Sequence, residues 1–510
     1  MRSHNKVSKF RRYLPQIIAV GVKNGLLLIY GLSLGMPTIL IPNLSSDNPK
    51  ETILLDEEGI SWVGSINFLS VPLGCLVSGI ATRPFGRIRT LQGISLIFFG
   101  SFLLFYFASK TIHILLGLLL TGFSGGLLEA PTLIYTVEIT EPNLRGSMCS
   151  TSTLAIVIGL LLSFVIGTLY TWRTLALVNA CIPLAFLLLL FALPESPYWL
   201  ISKNKLDKAR KNLAWLRGWT KIEAIEQEFQ KICKEVDQHK ANEFKTISLQ
   251  AVKPFLKSTF IKPFLLIALT FVLAHFGTSQ NVIYSVKIFE VLKAPINSYY
   301  ATICAGVAGL IGCILLMILV RFLGKRILMF IAQVGIFLNF FLLATYVYYL
   351  DVQNLDDLED FDPSIASKFS WVPLVTILSE IFFAYLLTYT LPWIIMGELY
   401  PNEIRDISSG LSAGIGYIIG FLANKTFLDL VSLITLAGTF WIYSIVGFMG
   451  LVLMYYFLPE TEGKPLSEVL EHYRGGVKLD NNVRKSNKSE VCNGIVNKGF
   501  DSYDISDTKF

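Results

Sequence analysis

The chain has 510 residues, of which 53% are hydrophobic and only 16% charged, with a formal net charge of +6. That is more apolar surface than one water-soluble core absorbs, so part of the solvent must be lipid. The positive balance does not point to nucleic acid, because the Lys and Arg residues lie in short segments between apolar runs, which is the pattern that orients membrane proteins.

In chain order, a basic N-terminus at 1–13 leads into an apolar run at 14–42. This run is too long for a signal-peptide core and lacks an evident cleavage site, so it reads as a first membrane helix. Runs long enough to cross about 30 Å of hydrocarbon follow, at 60–81, 90–109, 112–137, 146–168 and 174–194. After a polar interval they resume at 262–283, 298–322, 326–350, 370–397, 407–431 and 433–458. The expectation is an all-α integral membrane protein of about twelve transmembrane helices in two six-helix bundles, 14–194 and 262–458. Between the bundles, 195–261 is polar, with Leu213, Leu216, Ile222, Ile225 and Phe229 at helix-like intervals, and is expected to form a cytoplasmic helical linker. The tail, 459–510, is polar and poor in aromatics, and is expected to be largely disordered.

Basic residues fix the expected orientation. Arg11 and Arg12, then Arg83, Arg87 and Arg89, then Arg321, Lys325 and Arg326 fall on one side, assigned to the cytoplasm. The acidic segments 47–58 and 351–362 lie opposite, so both termini are expected inside. Asn43 heads an N-x-S sequon in the first outer loop and is a glycosylation candidate. Seven cysteines are scattered without CxxC spacing, which gives no disulfide framework and no metal site. No cofactor is expected, and no HExxH, GxSxG or P-loop with a credible location suggests an enzyme.

The two halves repeat one another. R-P-F-G-R-I-R after the second span (Arg83 to Arg89) answers R-F-L-G-K-R after the eighth (Arg321 to Arg326). Each places a Gly turn and cations at a helix end. After the fourth span Glu138 precedes Arg145 by seven residues, and after the tenth Glu398 precedes Arg405 by the same interval. Such a duplicated six-helix unit places a solute near the midplane, between halves that rock around it.

P-E-S-P-Y-W-L (Pro194 to Leu200) and P-E-T-E-G-K-P-L (Pro459 to Leu466) close the two halves, and with them the chain resembles the sugar porters of the major facilitator superfamily over nearly all of 14–465. D-E-E-G-I-S-W-V-G-S (Asp56 to Ser65), T-L-P-W-I-I-M-G-E (Thr390 to Glu398) and N-K-T-F-L-D-L (Asn424 to Leu430) look most like insect facilitated trehalose transporter-like members. The resemblance implies a multi-pass plasma-membrane protein working by alternating access, a monomer, with a small solute such as a sugar and the lipid bilayer as its partners. It also implies gating roles for Arg83, Arg87, Glu138, Arg145, Arg321, Lys325, Glu398 and Arg405. Arg83 and Arg321 stand where that family usually carries an Asp, so the expectation is an inner gate weakened by like charges.

The solute positions depart further. The seventh-span pattern of two Gln followed by Ser-Gly-Ile-Asn maps onto Leu273, Ala274, Phe276, Gly277, Thr278 and Ser279, and Thr153 stands where a Gln is usual. Gly416 and Tyr417 replace a frequent Asn-Trp, while Trp393 is retained and offers an apolar face and an indole N–H to a sugar ring. Gln280 and Asn281 lie just beyond the aligned Asn and supply the amides that sugar hydroxyls need. Among ionisable groups within the spans, Lys23, Glu129, His275, Glu380 and Lys425 need a partner or a cavity. Glu129 aligns with a cavity residue of the family, and His275 is a candidate proton carrier or hydrogen-bond partner. The first span contains no Asp or Glu, which favours facilitated diffusion. A proton-coupled symporter and a non-transporting solute sensor derived from a transporter are the alternatives.

Overall fold

The computed structural model describes residues 9–45, 51, 53–243, 255–276, 279–355, 369–401, 404–476, 479–481 and 483. Six long helices come first: α1 (Lys9–Leu44), α2 (Glu57–Phe85), α3 (Arg87–Tyr106), α4 (Thr111–Ile139), α5 (Pro142–Leu169) and α6 (Trp172–Phe191). Their ends follow local chemistry. The Asp56 carboxylate accepts from the Gly59 N–H at 2.9 Å and Glu57 and Glu58 occupy the first turn of α2, which suits the positive end of a helix dipole. Thr171 caps α6 in the same way.

Three short helices, α7 (Pro197–Ser202), α8 (Leu206–Leu216) and α9 (Glu226–Glu243), form the linker. They close over their own apolar cluster, with Leu213, Ile225 and Phe229 buried at its centre. The periodicity of this polar stretch thus marks helices that pack on each other.

The second half is less regular. Its first span is described in α10 (Ser258–Phe276) and α11 (Ser279–Ile283), and a turn at Tyr284 leads into α12 (Ser285–Val291). Next, α13 (Ser298–Tyr349) runs for 52 residues but turns at Gly324, whose φ is +78°. A straight helix of that length would extend about 78 Å, against roughly 30 Å of hydrocarbon. It is therefore two spans joined at the Gly turn that the sequence marks. The tenth span comprises α14 (Trp371–Phe383), a π-helical turn at Ala384–Thr388 and α15 (Leu391–Leu399). Finally α16 (Arg405–Lys425), α17 (Phe427–Phe457), broken at Thr435, and the short α18 (Leu466–Arg474) complete the described chain. Eleven described helices are long and apolar enough to cross a membrane, and counting α13 as two brings the spans to twelve.

Small residues let the helices approach closely, as lipid-embedded bundles require. A Cβ at Gly31 would lie 2.0 Å from the Ile156 carbonyl oxygen, and one at Gly159 2.0 Å from that of Leu28, so α1 and α5 touch backbone to backbone. Prolines inside α1, α2, α4 and α6 are tolerated because neighbouring helices satisfy the freed groups.

Candidate solute site and its two ends

At the end of the bundle that carries the linker, the sequence repeat becomes a structural one. Gly86 has φ +94° and Gly324 φ +78°, a region that costs other L-residues energy. In the first half the Glu195 carboxylate accepts from the N–H groups of Arg87 at 3.0 Å and Ile88 at 3.1 Å. In the second, Glu460 accepts from those of Lys325 at 3.3 Å and Arg326 at 3.0 Å. Each carboxylate fills the place a side chain would need: a Cβ on Gly86 would lie 2.5 Å from Glu195 Oε2, and one on Gly324 2.4 Å from Glu460 Oε2. Burial raises the Glu195 carboxyl above the usual range for Glu, while the backbone donors and the Arg87 guanidinium act the other way.

The cation after each glycine then pairs with the matching glutamate of its own half, and Lys325 takes a second. Arg87 binds Glu138 through Nη2–Oε1 at 2.8 Å and Nε–Oε2 at 3.0 Å. Lys325 Nζ binds Glu398 at 2.8 and 2.9 Å and Glu462 at 2.7 Å. Arg83 and Arg321 are exposed and lie outside these ion pairs, so both contacts form without the acid usual at those positions. Arg145 and Arg405 do not join Glu138 or Glu398: Arg405 donates to the Tyr400 carbonyl at 3.3 Å, and the Nε of each arginine is buried with no hydrogen bond among the described residues. Every one of these bonds stays within one half.

Contacts between halves lie elsewhere. At the opposite end, Thr38 Oγ1 donates to the Val282 carbonyl at 3.1 Å, Asn43 Nδ2 to Tyr299 at 3.3 Å, and Ser61 Oγ to the Lys425 carbonyl at 2.9 Å. The Lys425 ammonium lies 4.6 Å from the Trp62 ring centre. The Asn43 amide also donates to the Ile39 carbonyl, so the sequon sits in the last turn of α1 rather than in the loop beyond it.

Midway, Tyr417 on α16 donates to Glu129 Oε1 on α4 at 3.0 Å. Trp393 stands 5.6 Å from Tyr417 and 5.4 Å, edge-on, from Phe271. His275 packs between Phe271, Phe68 and Tyr389 at 6.2, 5.7 and 5.9 Å. Gly416 is what admits Phe271, since a Cβ there would lie 2.6 Å from the ring. Four sequence candidates, Glu129, His275, Trp393 and Tyr417, therefore meet in one aromatic and carboxylate cluster that joins the halves.

The other candidates go to different places. Thr153 is half-buried on α5, beside a polar seam in which the Lys23 ammonium donates to Ser152 Oγ at 3.0 Å. Lys23 is fully buried and does not snorkel to the helix end. Asn281 turns to Glu380, its Nδ2 donating to Oε2 at 3.0 Å. The backbone of Ser279 and Gln280 belongs to α11, and their side chains fall outside the described residues. The Asn281–Glu380 pair was beyond sequence reasoning, because 99 residues separate its members; the signal available was an acid in the middle of an apolar span. The residues of the aromatic cluster carry apolar faces, which suit the face of a ring, and few hydrogen-bonding groups, so hydroxyls of a bound solute would need partners from other elements.

Known proteins with similar sequences or folds give this arrangement its family. The family described as sugar (and other) transporter matches residues 39–473. The facilitated trehalose transporter Tret1 of Polypedilum vanderplanki is 30% identical over 440 residues, which is 84% of this chain and 82% of that one. Tret1 of Apis mellifera ligustica is 29% identical over 473 residues, 92% and 90% of the two chains. Among solved structures, the inward-open xylose transporter XylE from E. coli superposes with a TM-score of 0.69 at 20% identity, covering 89% of this chain and 98% of that one. The proton:xylose symporter XylE bound to 6-bromo-6-deoxy-D-glucose gives 0.67 at 21% identity, covering 90% and 99%. The chain belongs to the sugar porter family of major facilitator transporters.

Proposed function

We propose that this protein moves a sugar or a similar small polyhydroxylated solute across the plasma membrane by facilitated diffusion, with the linker and both termini in the cytoplasm. The observation that carries this reading is the asymmetry of its contacts. The halves bond to each other at the middle and at the end remote from the linker, whereas the carboxylate caps and the Arg87 and Lys325 ion pairs described at the linker end each lie within one half. That is one limb of an alternating-access cycle, closed outside and held around the Glu129–Tyr417 contact. The solute lies against Trp393 and Tyr417, with Thr153, Ser279, Gln280, Asn281, Glu129 and His275 supplying hydrogen bonds. The names of the relatives make trehalose the first solute to try. Arg87–Glu138 and Lys325–Glu398 keep each half rigid as it rocks, with Arg83, Arg145, Arg321 and Arg405 completing the gate in the other limb. The absence of any acid from the first span (14–42) supports transport down a gradient.

Reconstituted protein tests this directly. Preloaded liposomes are expected to take up labelled trehalose or a competing mono- or disaccharide by counterflow, and Trp393→Ala to abolish it. Solute binding without exchange would overturn the reading.

A further inference from the structure

Between α11 and α14 lies a polar pair apart from the cluster of Glu129, His275, Trp393 and Tyr417. Asn281 and Glu380 are each only 1% exposed. One hydrogen bond joins them, from Asn281 Nδ2 to Glu380 Oε2 at 3.0 Å. The second oxygen of each group, Asn281 Oδ1 and Glu380 Oε1, is buried without a hydrogen-bond partner among the described residues. Two oxygens that can only accept cannot satisfy one another, and an unmade buried hydrogen bond is costly. An ionised carboxylate here would also need a cation or several donors.

Among the described residues no cation pairs with Glu380, whose hydrogen-bond partner is Asn281, although α12, which packs against α11, carries the buried Lys287. The sequence of α11 contains no titratable residue. Of the titratable groups nearby, Tyr385 on the π-helical turn is beside Glu380, and Cys313 on α13 is beside Tyr385. Neither is positively charged in any protonation state. A single hydrogen on Oε1 resolves the arrangement. The acid then donates to Asn281 Oδ1 while the amide donates to Oε2, forming a cyclic acid–amide pair with all its polar groups used.

We propose that Glu380 and Asn281 form a proton-binding site, in which Glu380 is a neutral acid while this end of the bundle is closed. The elements that bear it are the ones built to move. Asn281 lies three residues before the turn at Tyr284 that separates α11 from α12, and Glu380 lies just before the π-helical turn; such irregularities recur at functional sites in membrane helices. Val282 and Ile381, the next residues along each element, line a small cavity together with Ser285 and Tyr385. When α11 and α14 part, the Oε1–H bond loses its acceptor and the proton passes to water entering that cavity. Rocking and proton release are thereby linked. This rests on the transport reading only where flux is measured.

The test uses infrared spectroscopy of the full-length protein in detergent at neutral pH. Wild type minus Glu380→Gln is expected to show the C=O stretch of one protonated carboxyl. Gln keeps the cyclic pair, because its amide N–H replaces the acid O–H, so the variant is expected to fold with an unchanged melting temperature. Asn281→Leu is expected to shift the same band, since its hydrogen-bond partner is gone. In liposomes, Glu380→Gln is expected to flatten the pH dependence of solute exchange relative to wild type. A difference spectrum without that band, or an exchange–pH profile identical in wild type and Glu380→Gln, would overturn the proposal. A wild type that exchanges no solute but shows the band would instead refute the transport reading and leave the proton site standing.

Discussion

Replacing Glu195 by alanine tests the clamp at the linker end most sharply. Helix α3 begins at Arg87, and its N-cap, Gly86, has no side chain to cap it. Glu195 supplies the cap from the end of the first half, accepting from the first two N–H groups of the helix at 3.0 and 3.1 Å. It also accepts from the Ser196 N–H at 2.9 Å. Hydrogen bonds to a charged acceptor are worth about 1.5–3 kcal/mol each. Two that cross between elements give roughly 3–6 kcal/mol, and water reaching the vacated site recovers part of it, which leaves about 2–4 kcal/mol. Thermal unfolding of purified protein should therefore show a melting temperature several degrees below wild type. Glu460→Ala breaks the equivalent bonds to Lys325 and Arg326 and is expected to match it closely. A Glu195→Ala protein that melts with wild type, or a Glu460→Ala effect of clearly different size, would refute the claim that the halves are clamped by the same device.

Four further outcomes follow from the same contacts. Gly86→Ala combines a φ of +94° with a Cβ 2.5 Å from Glu195 Oε2, so it is expected to destabilise at least as much as Glu195→Ala. Gly93→Ala, with open space around its Cβ, is expected to raise stability by about 0.5–1 kcal/mol, as alanine does inside helices. Tyr417→Phe removes the hydrogen bond to Glu129 but keeps the ring. It is expected to loosen the join between the halves, read as faster thiol modification of a Ser65→Cys reporter, as is Lys425→Ala, which loses the stack on Trp62. The raised Glu195 carboxyl gives a pH signature. Because the folded state holds that proton more tightly than the unfolded chain, its contribution to stability is present at low pH and lost as pH rises through the folded value. Glu195→Gln is expected to remove this component from a melting-temperature series across the acid-to-neutral range.

The membrane architecture was legible because hydrophobic length leaves little choice: a run of about 20 apolar residues is a span, and Gly86 and Gly324 announced their turns through the cations beside them. Twelve spans and two halves could be read from 510 letters, and the turn at Gly324 resolves the one helix that looks too long. The same repeat picked out Arg87, Glu138, Lys325 and Glu398 at matching places in the two halves, without saying which of them pair. It did not foretell that Glu195 and Glu460 would cap the following helices, because a carboxylate that binds backbone N–H groups leaves no complementary side chain in the sequence. Arg83 and Arg321 are exposed here and stand outside the Arg87–Glu138 and Lys325–Glu398 pairs, so a changed sign at those positions does not prevent the pairs from forming.

The solute region was legible in part for a related physical reason. Glu129, His275, Trp393 and Tyr417 were visible singly, as polar or aromatic groups where lipid would be expected. Their convergence depends on four different spans and on Gly416, whose missing side chain makes room for Phe271. Family patterns made Gly416 and Tyr417 look like the loss of an Asn-Trp contact. In space the pair does something else, admitting one aromatic ring and sending a hydroxyl across the interface to Glu129. On the proposed transport reading that bond forms or breaks as the halves rock, so the group proposed to hold the solute would also report which limb of the cycle the protein occupies. A solute that displaces Tyr417 from Glu129 favours separation of the halves there, and one that leaves the bond intact favours the closed limb. Selectivity in this chain is in that case a choice between conformations as much as a fit to a pocket.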